Sequence, residues 1–380
     1  MVEYDMKNKF AIAMFGQKRL SREGGVEIVV KELGTRMVKD GHEVTCYNRS
    51  GHHVSGAEYD NCNKTEYEGI HQKFVPTIER KGLAAVSSSF FAALYSTLGK
   101  YDVVHIHAEG PAFFSWMPKL CGKRVVVTIH GIDWKREKWK TGFGAKFIQW
   151  GEKSAVKYAD EIIVLSKGVQ NYFWDTYGRK THFIPNGVNK PEIQNAELIL
   201  EQFGLEKDSY ILFLGRLVPE KGIRYLIDAF KRVKTDKKLV IAGGSSDTEA
   251  FMRELKELAK DDERILFTGF VQGRLLDELY SNAYLYTLPS DLEGMPLSLL
   301  EAMSYGNCCL VSDISECTEV VEDKAMIFKK SDVNDLMTKL QEACDEPSKV
   351  MKLKNQASEF ICGKYNWDDI VDETLKLYNK

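Results

Sequence analysis

The sequence predicts an α/β chain built as two doubly wound domains. Three observations lead there. Short β-branched runs alternate with helical patterns from end to end, the mark of parallel βαβ units. These runs are apolar nearly throughout, as strands covered on both faces are. The alternation restarts after IPNGVNKPEIQNA at residues 184–196, a junction rich in Pro, Asn and Gly. A length of 380 residues suits two cores rather than one.

Strand runs in the first half are 9–15, 43–48, 101–107, 124–130, 161–166 and 182–186, with helices such as 25–40 and 145–158 between them. Those of the second half are 210–215, 238–244, 264–270, 283–289 and 307–312. The expected domains are residues 1–188 and 189–362, followed by a C-terminal segment, 363–380. That segment holds an amphipathic helix, YNWDDIVDETLKLY, expected to pack back on the first domain. A ligand of such domains belongs at the carboxyl ends of the strands, in the cleft between the two sheets.

Bulk properties remove several classes. A net charge of −3 gives no electrostatic footprint for nucleic acid. The eight cysteines form no CxxC pair and no metal-ligand spacing with histidines, and adjacent Cys308 and Cys309 read as core. Reduced thiols in a cytoplasmic protein are expected. The start, MVEYDMKNKF, has no apolar core of a signal peptide. No stretch reaches the roughly 18 apolar residues of a membrane span. Residues 82–99, GLAAVSSSFFAALYSTLG, read as a packed helix.

Five polar stretches follow predicted strands. In GQKRLSREGGVE (16–27), Gly24 and Gly25 open a helix, where the backbone approaches a ligand closely and offers free N–H groups. The dinucleotide fingerprint GxGxxG is absent and the second strand ends in Asn48 rather than an acid, which argues against a dehydrogenase. His130, before Gly131-Ile132-Asp133, ends a buried strand, where it serves either as a structural histidine or as a partner for a hydroxyl or a proton. His105 and His107 carry the same ambiguity. In LGRLVPEKGIRYLIDAF (214–230), Arg216 and Lys221 bring positive charge to a helix start, which suits a diphosphate; the plain alternative is a solvated pair. Gly243 and Gly244 in IAGGSSDTEAF form another close-approach turn. In PSDLEGMPLSLLEA (289–302), Pro296 leads a helix that contains Glu301, with Glu293 in the loop before it. Asp-x-Asp occurs nowhere, so no metal-bridged diphosphate is expected and the cofactor expectation is none. Residues 134–150, WKREKWKTGFGAKFIQW, hold three of the six tryptophans among lysines and suit an anionic membrane surface. Their plain alternative is a basic loop with core aromatics.

The set GGVE…GHEV, HG-ID, GR…EKG, IAGG and E-x7-E resembles the retaining GT-B glycosyltransferases of the GT4 class over residues 9–378. The extended GGVEIVVKELGTRMVKDGHEVTCYNRSG further resembles a capsule and exopolysaccharide branch with rhamnosyltransferase-like members. The resemblance implies two Rossmann-like domains and transfer from a UDP-, GDP- or dTDP-sugar to a glycan or lipid-linked acceptor, with retention and domain closure. It implies that Arg216 and Lys221 grip the diphosphate and that Glu301 binds the ribose. Glu293 would hold the donor sugar, and Gly294, Met295 and Leu297 would present N–H groups. His130 would stand beside the reacting sugar and Gly25 near phosphate or acceptor. The implied site of work is the cytoplasmic face of the membrane. The chain departs from the pattern at Cys308-Cys309, at Ser315-Glu316-Cys317 and at Ala325-Met326-Ile327-Phe328. Two alternatives stay open here: a GT-B-like sugar-nucleotide 2-epimerase and a non-catalytic nucleotide- or glycan-binding scaffold.

Overall fold

The computed structural model describes residues 9–21, 24–51, 65–80, 82–135, 143–244 and 249–379. The chain divides into two compact units, Met1–Asn186 with Trp367–Lys380, and Gly187–Asn366. Both are α/β units built on parallel sheets. The strands of the first are β1 (Ala11–Phe15), β2 (Glu43–Arg49), β3 (Glu66–Tyr67), β4 (Ile70–Val75), β5 (Val103–His107), β6 (Arg124–Ile129), β7 (Glu161–Val164) and β8 (His182–Phe183). Its helices are α1 (Gly25–Lys39), α2 (Leu83–Leu98), α3 (Glu109–Ala112), α4 (Trp116–Leu120), α5 (Phe143–Tyr158) and α6 (Lys167–Tyr177). The second unit has β9 (Tyr210–Leu214), β10 (Lys238–Ala242), β11 (Ile265–Gly269), β12 (Leu285–Leu288), β13 (Cys309–Ser312) and β14 (Met326–Phe328). Around them lie α7 (Leu198–Phe203), α8 (Ile223–Phe230), α9 (Glu249–Ala259), α10 (Gly273–Asn282), α11 (Leu297–Ser304), α12 (Ser315–Val321), α13 (Val333–Asp345) and α14 (Pro347–Lys364). The last helix, α15 (Trp367–Lys376), belongs to the first unit.

The first sheet runs β3-β4-β2-β1-β5-β6-β7-β8, parallel except for the β3–β4 hairpin. The second runs β11-β10-β9-β12-β13-β14, parallel throughout. Strand order reverses between β1 and β5 in one and between β9 and β12 in the other. At such a reversal the flanking connections leave toward opposite faces and open a crevice at the carboxyl edge.

Several elements differ from the sequence reading, the short hairpin strand β3 among them. β4 escapes it because only one face is covered: Ile70, Gln72 and Val75 are buried while His71 and Lys73 are exposed. β8 stops at Phe183, short of Pro185, which has no N–H for a ladder. The short β14 lies where the relatives' pattern has a glycine loop. Residues 82–99 do form a packed helix, α2, and no helix of the described residues is long and apolar enough to cross a membrane.

The first core joins Phe15, Ile106, Val127, Val164 and Phe173, each worth about 2 kcal/mol on burial. α15 closes this unit through buried Trp367 and Val371, and Arg36 Nε donates to Asp368 at 3.0 Å. Fully buried Tyr378 places its hydroxyl 2.6 Å from His105 Nδ1, while His105 Nε2 lies 2.7 Å from Thr128 Oγ1. His105 is thus structural. Burial first, then the charge of His130, lowers it to about 3, so it is neutral when folded. The unfolded chain takes up that proton below its ordinary value of 6.5. Stability therefore falls as pH drops from that value toward the folded one. His105→Asn is expected to flatten the loss of unfolding free energy by about 1 kcal/mol per pH unit between about pH 6 and 4, read by denaturant melts. An unchanged slope would mean a charged imidazole at this position.

Candidate active site

The second unit gathers most of the sequence-predicted residues at the carboxyl ends of β9, β10 and β12. β9 ends at Leu214, and the chain continues through exposed Arg216 to a 3-10 turn, Pro219–Lys221, ahead of α8. Lys221 is not in the helix proper. Gly222 follows with φ +67°, and a Cβ there would stand 1.9 Å from the Pro289 carbonyl oxygen, so the turn lies flat on the loop after β12. Gly243 has φ +148° and would put a Cβ 1.8 Å from the Gly215 carbonyl oxygen. With Gly244, whose carbonyl accepts from Leu217 N–H at 3.2 Å, it ties the β10 loop to the β9 loop. A side chain at Gly222 or Gly243 would force the loops apart.

The loop after β12 carries Glu293. Its Oε1 accepts from Lys221 Nζ at 2.5 Å and from Ser290 Oγ at 2.6 Å. The two charged side chains are only 13% and 8% exposed, which makes this a largely desolvated pair. Pro296 caps α11 rather than opening it: its φ of −76° and ψ of 99° are extended. Gly294 and Met295 are buried and Leu297 is half-buried. The N–H groups of Gly294 and Leu297 donate to no partner among the described residues. Glu301, one turn into α11, accepts from the Tyr280 hydroxyl at 3.2 Å. Tyr286 is fully buried, and its hydroxyl lies 2.9 Å from Ser298 Oγ. Burial, then Cys309, Glu293 and Glu301, push that hydroxyl well above its ordinary range against the Ser298 bond. Both carboxylates therefore act on one tyrosine. The Arg216 guanidinium has no partner among the described residues and is exposed.

The first unit places the remaining predicted residues. Gly24 is the N-cap of α1 and exposed Gly25 its first residue. His130 leaves β6 half-buried, and its Nε2 lies 3.2 Å from His107 Nδ1. His107 is fully buried, and its Nε2 has no partner among the described residues; burial, then His105 and His130, hold it well below the usual histidine range. Of the 134–150 stretch, residues 136–142 lie outside the described residues. Trp134 donates to Glu152 at 3.2 Å and Phe147 packs against Phe113, so two of its aromatics are structural.

Sequence reasoning missed several contributors. Ser290, three residues before Glu293, was legible from its spacing. Asp291, held by Tyr225 at 3.0 Å and Ser331 at 2.7 Å, depends on distant partners and was not. At the departures from the pattern, Cys308 and Cys309 are fully buried core and Ser315 starts α12.

Two family models cover the two units in succession. Residues 23–190 match "Glycosyltransferase Family 4" and residues 195–360 match "Glycosyl transferases group 1". The chain belongs to the family 4 and group 1 glycosyltransferases. This family assignment supports a glycosyltransferase over an epimerase. An uncharacterized glycosyltransferase of Methanocaldococcus jannaschii is 27% identical over 93% of this chain and 94% of its own. An Escherichia coli protein named UDP-Gal:alpha-D-GlcNAc-diphosphoundecaprenol alpha-1,3-galactosyltransferase is 28% identical over 83% of this chain and 85% of its own. In fold, the chain is similar to the solved sucrose-phosphate synthase of Thermosynechococcus elongatus, with a TM-score of 0.81 at 20% identity over 97% and 98% of the two chains. The fold is GT-B.

Removing one partner of the buried pair exposes its cost. Lys221→Met is expected to destabilise the second unit by about 3 kcal/mol, and adding Glu293→Gln to recover most of that, in urea melts. Equal stability of the single variant and the parent would show that the pair is open to water.

Proposed function

We propose that the chain transfers a hexosyl group from a nucleoside diphosphate sugar, a UDP-sugar first, to a hydroxyl of a glycan or lipid-linked acceptor, with retention at the anomeric carbon. The observation that carries it is the grouping of a free guanidinium, a paired ammonium, open N–H groups and two carboxylates at the β9/β12 reversal. Arg216, Lys221 and the start of α11 complement a diphosphate. Glu301 takes the ribose hydroxyls and Glu293 those of the donor sugar. Gly243 and Gly244 let the backbone come close. In the first unit, Gly24 and Gly25 serve phosphate or acceptor, and His130 stands by the reacting carbon.

The chemistry needs no nucleophile from the chain. The acceptor oxygen bonds to the anomeric carbon as the bond to the phosphate oxygen breaks. The electron pair goes to the diphosphate, which also takes the acceptor's proton on the same face. Cations around the leaving group lower the barrier by stabilising the charge that develops there. Lys221 is held by Glu293. Donor binding exchanges that bond for one to phosphate and turns Glu293 to the sugar.

The UDP preference and a role in cell-surface polysaccharide or glycolipid synthesis draw on the name of the E. coli relative. A panel of UDP-galactose, GDP-mannose and dTDP-rhamnose, read by thermal stabilisation and donor hydrolysis, tests the reading. A UDP-sugar is expected to stabilise the parent, with about tenfold or more weaker apparent affinity in Arg216→Ala. Preference for dTDP-rhamnose would instead favour the rhamnosyltransferase-like branch. Stabilisation by none of them, without hydrolysis, contradicts the proposal.

One further observation favours a membrane as partner. On α5, Lys146, Trp150, Lys153 and Lys157 are all exposed and share one face at helical spacing. A tryptophan among lysines suits the headgroup level of an anionic, cytoplasmic-face bilayer. Trp150→Ser with Lys153→Glu is expected to abolish co-sedimentation with phosphatidylglycerol vesicles and to leave donor hydrolysis unchanged. Undiminished co-sedimentation contradicts this contact.

A further inference from the structure

Two glutamates of the first unit have no part in the site described so far. Glu109 opens α3 at the carboxyl end of β5, and Glu152 lies in α5. They are 0% and 1% exposed. Such burial is costly for a carboxylate unless donors or cations surround it. Glu152 is well supplied. Its Oε1 accepts from the Tyr172 hydroxyl at 2.9 Å and from the Tyr177 hydroxyl, and its Oε2 accepts from Trp134 Nε1 at 3.2 Å. Glu109 is not. Its Oε2 accepts the N–H of Asp133 at 2.9 Å, while Oε1 finds no donor among the described residues.

The two carboxyls converge on one short segment, since Asp133 and Trp134, which they hold, are consecutive residues. A bond between them requires a proton on one. Glu152 already receives three donors while Glu109 Oε1 has none among the described residues, so the proton is placed on Glu109. Burial, then the charge of Asp133, then Glu152 hold Glu109 well above the usual carboxylate range. The helices can come this close because α5 has Gly151 at the contact, where a Cβ would meet the Glu109 carbonyl oxygen at 1.9 Å. The grip falls on two consecutive residues. Asp133 is held by Glu109 and Trp134 by Glu152, three and four positions after His130.

We propose that Glu109 and Glu152 share one proton and act as positioning residues for His130, fixing the segment that carries the chain away from β6. The proposal rests on the reading of His130 as a site residue. An acid–carboxylate bond suits this place because it fixes the segment with a single buried charge and no cation. The two positions differ in what can replace them. Gln at 109 still donates to Glu152 and still accepts from Asp133. Gln at 152 turns an amide N–H toward groups that are themselves donors.

The test compares full-length parent, Glu109→Gln, Glu109→Ala, Glu152→Gln and His130→Ala, each checked for folding by circular dichroism and thermal melting. Infrared spectroscopy at neutral pH is expected to show the carbonyl band of an un-ionised carboxylic acid in the parent, lost in Glu109→Gln. With donor hydrolysis as the readout, Glu109→Gln keeps kcat within about twofold, whereas Glu109→Ala and Glu152→Gln lose about ten- to hundredfold in kcat with KM for the donor unchanged. Absence of the acid band overturns the shared proton. Equal kcat in a folded Glu152→Gln and the parent overturns the positioning role. Unchanged kcat in His130→Ala overturns the underlying reading of that histidine, and the positioning role with it, while the acid band stands by itself.

Discussion

A lysine ammonium pressed against a glutamate carboxylate at 2.5 Å, with little of either exposed, is the constraint on which the second unit's site depends. Neither group survives alone in that setting. Each supplies the counter-charge that burial denies the other, and both sit where β9 and β12 leave the sheet in opposite senses. The surrounding glycines serve this closeness, letting the 3-10 turn with Lys221 lie on the backbone after β12. A ligand bearing both anionic oxygens and hydroxyls matches the two halves of the pair. That is the chemistry of a sugar nucleotide. The pair braces the two loops, and under the proposed function it is also the charge that a donor would engage.

Much of this was legible from residues alone. The buried parallel strands announced themselves as apolar runs, and the polar stretches that follow them mark the ligand edge of each sheet. Gly243, Lys221, Glu293 and Glu301 were found because they stand just past those runs. What stayed hidden has physical causes. β4 exposes alternate side chains and so lacks the apolar signature. The contact of Tyr378 with His105 joins positions 273 residues apart, and no local pattern encodes it. No local pattern marks Glu109 and Glu152, which the packing of α3 on α5 buries. Even Lys221, well placed in sequence, gave no sign that Glu293 would be its partner.

The first unit shows a different use of polar groups. Its buried histidines and acids are held by tyrosines, a threonine, an indole and backbone N–H groups rather than by cations. Such networks cost stability unless nearly every donor meets an acceptor, and they fix geometry when that condition holds. His130 stands at the border of this network, half-buried and bonded to His107. The second unit instead relies on opposite charges. The two units thus use buried polar groups by separate means: donor–acceptor networks in one, an opposite-charge pair in the other.

The exchange of Lys221 from carboxylate to phosphate is the central claim, and a crystal structure of the chain with UDP bound tests it most directly. The account predicts a diphosphate at the start of α11, with Lys221 Nζ and the Arg216 guanidinium in hydrogen-bonding contact with its oxygens and the ribose on Glu301. UDP bound elsewhere, or bound there with the Lys221–Glu293 contact intact and Arg216 still in solvent, would contradict it.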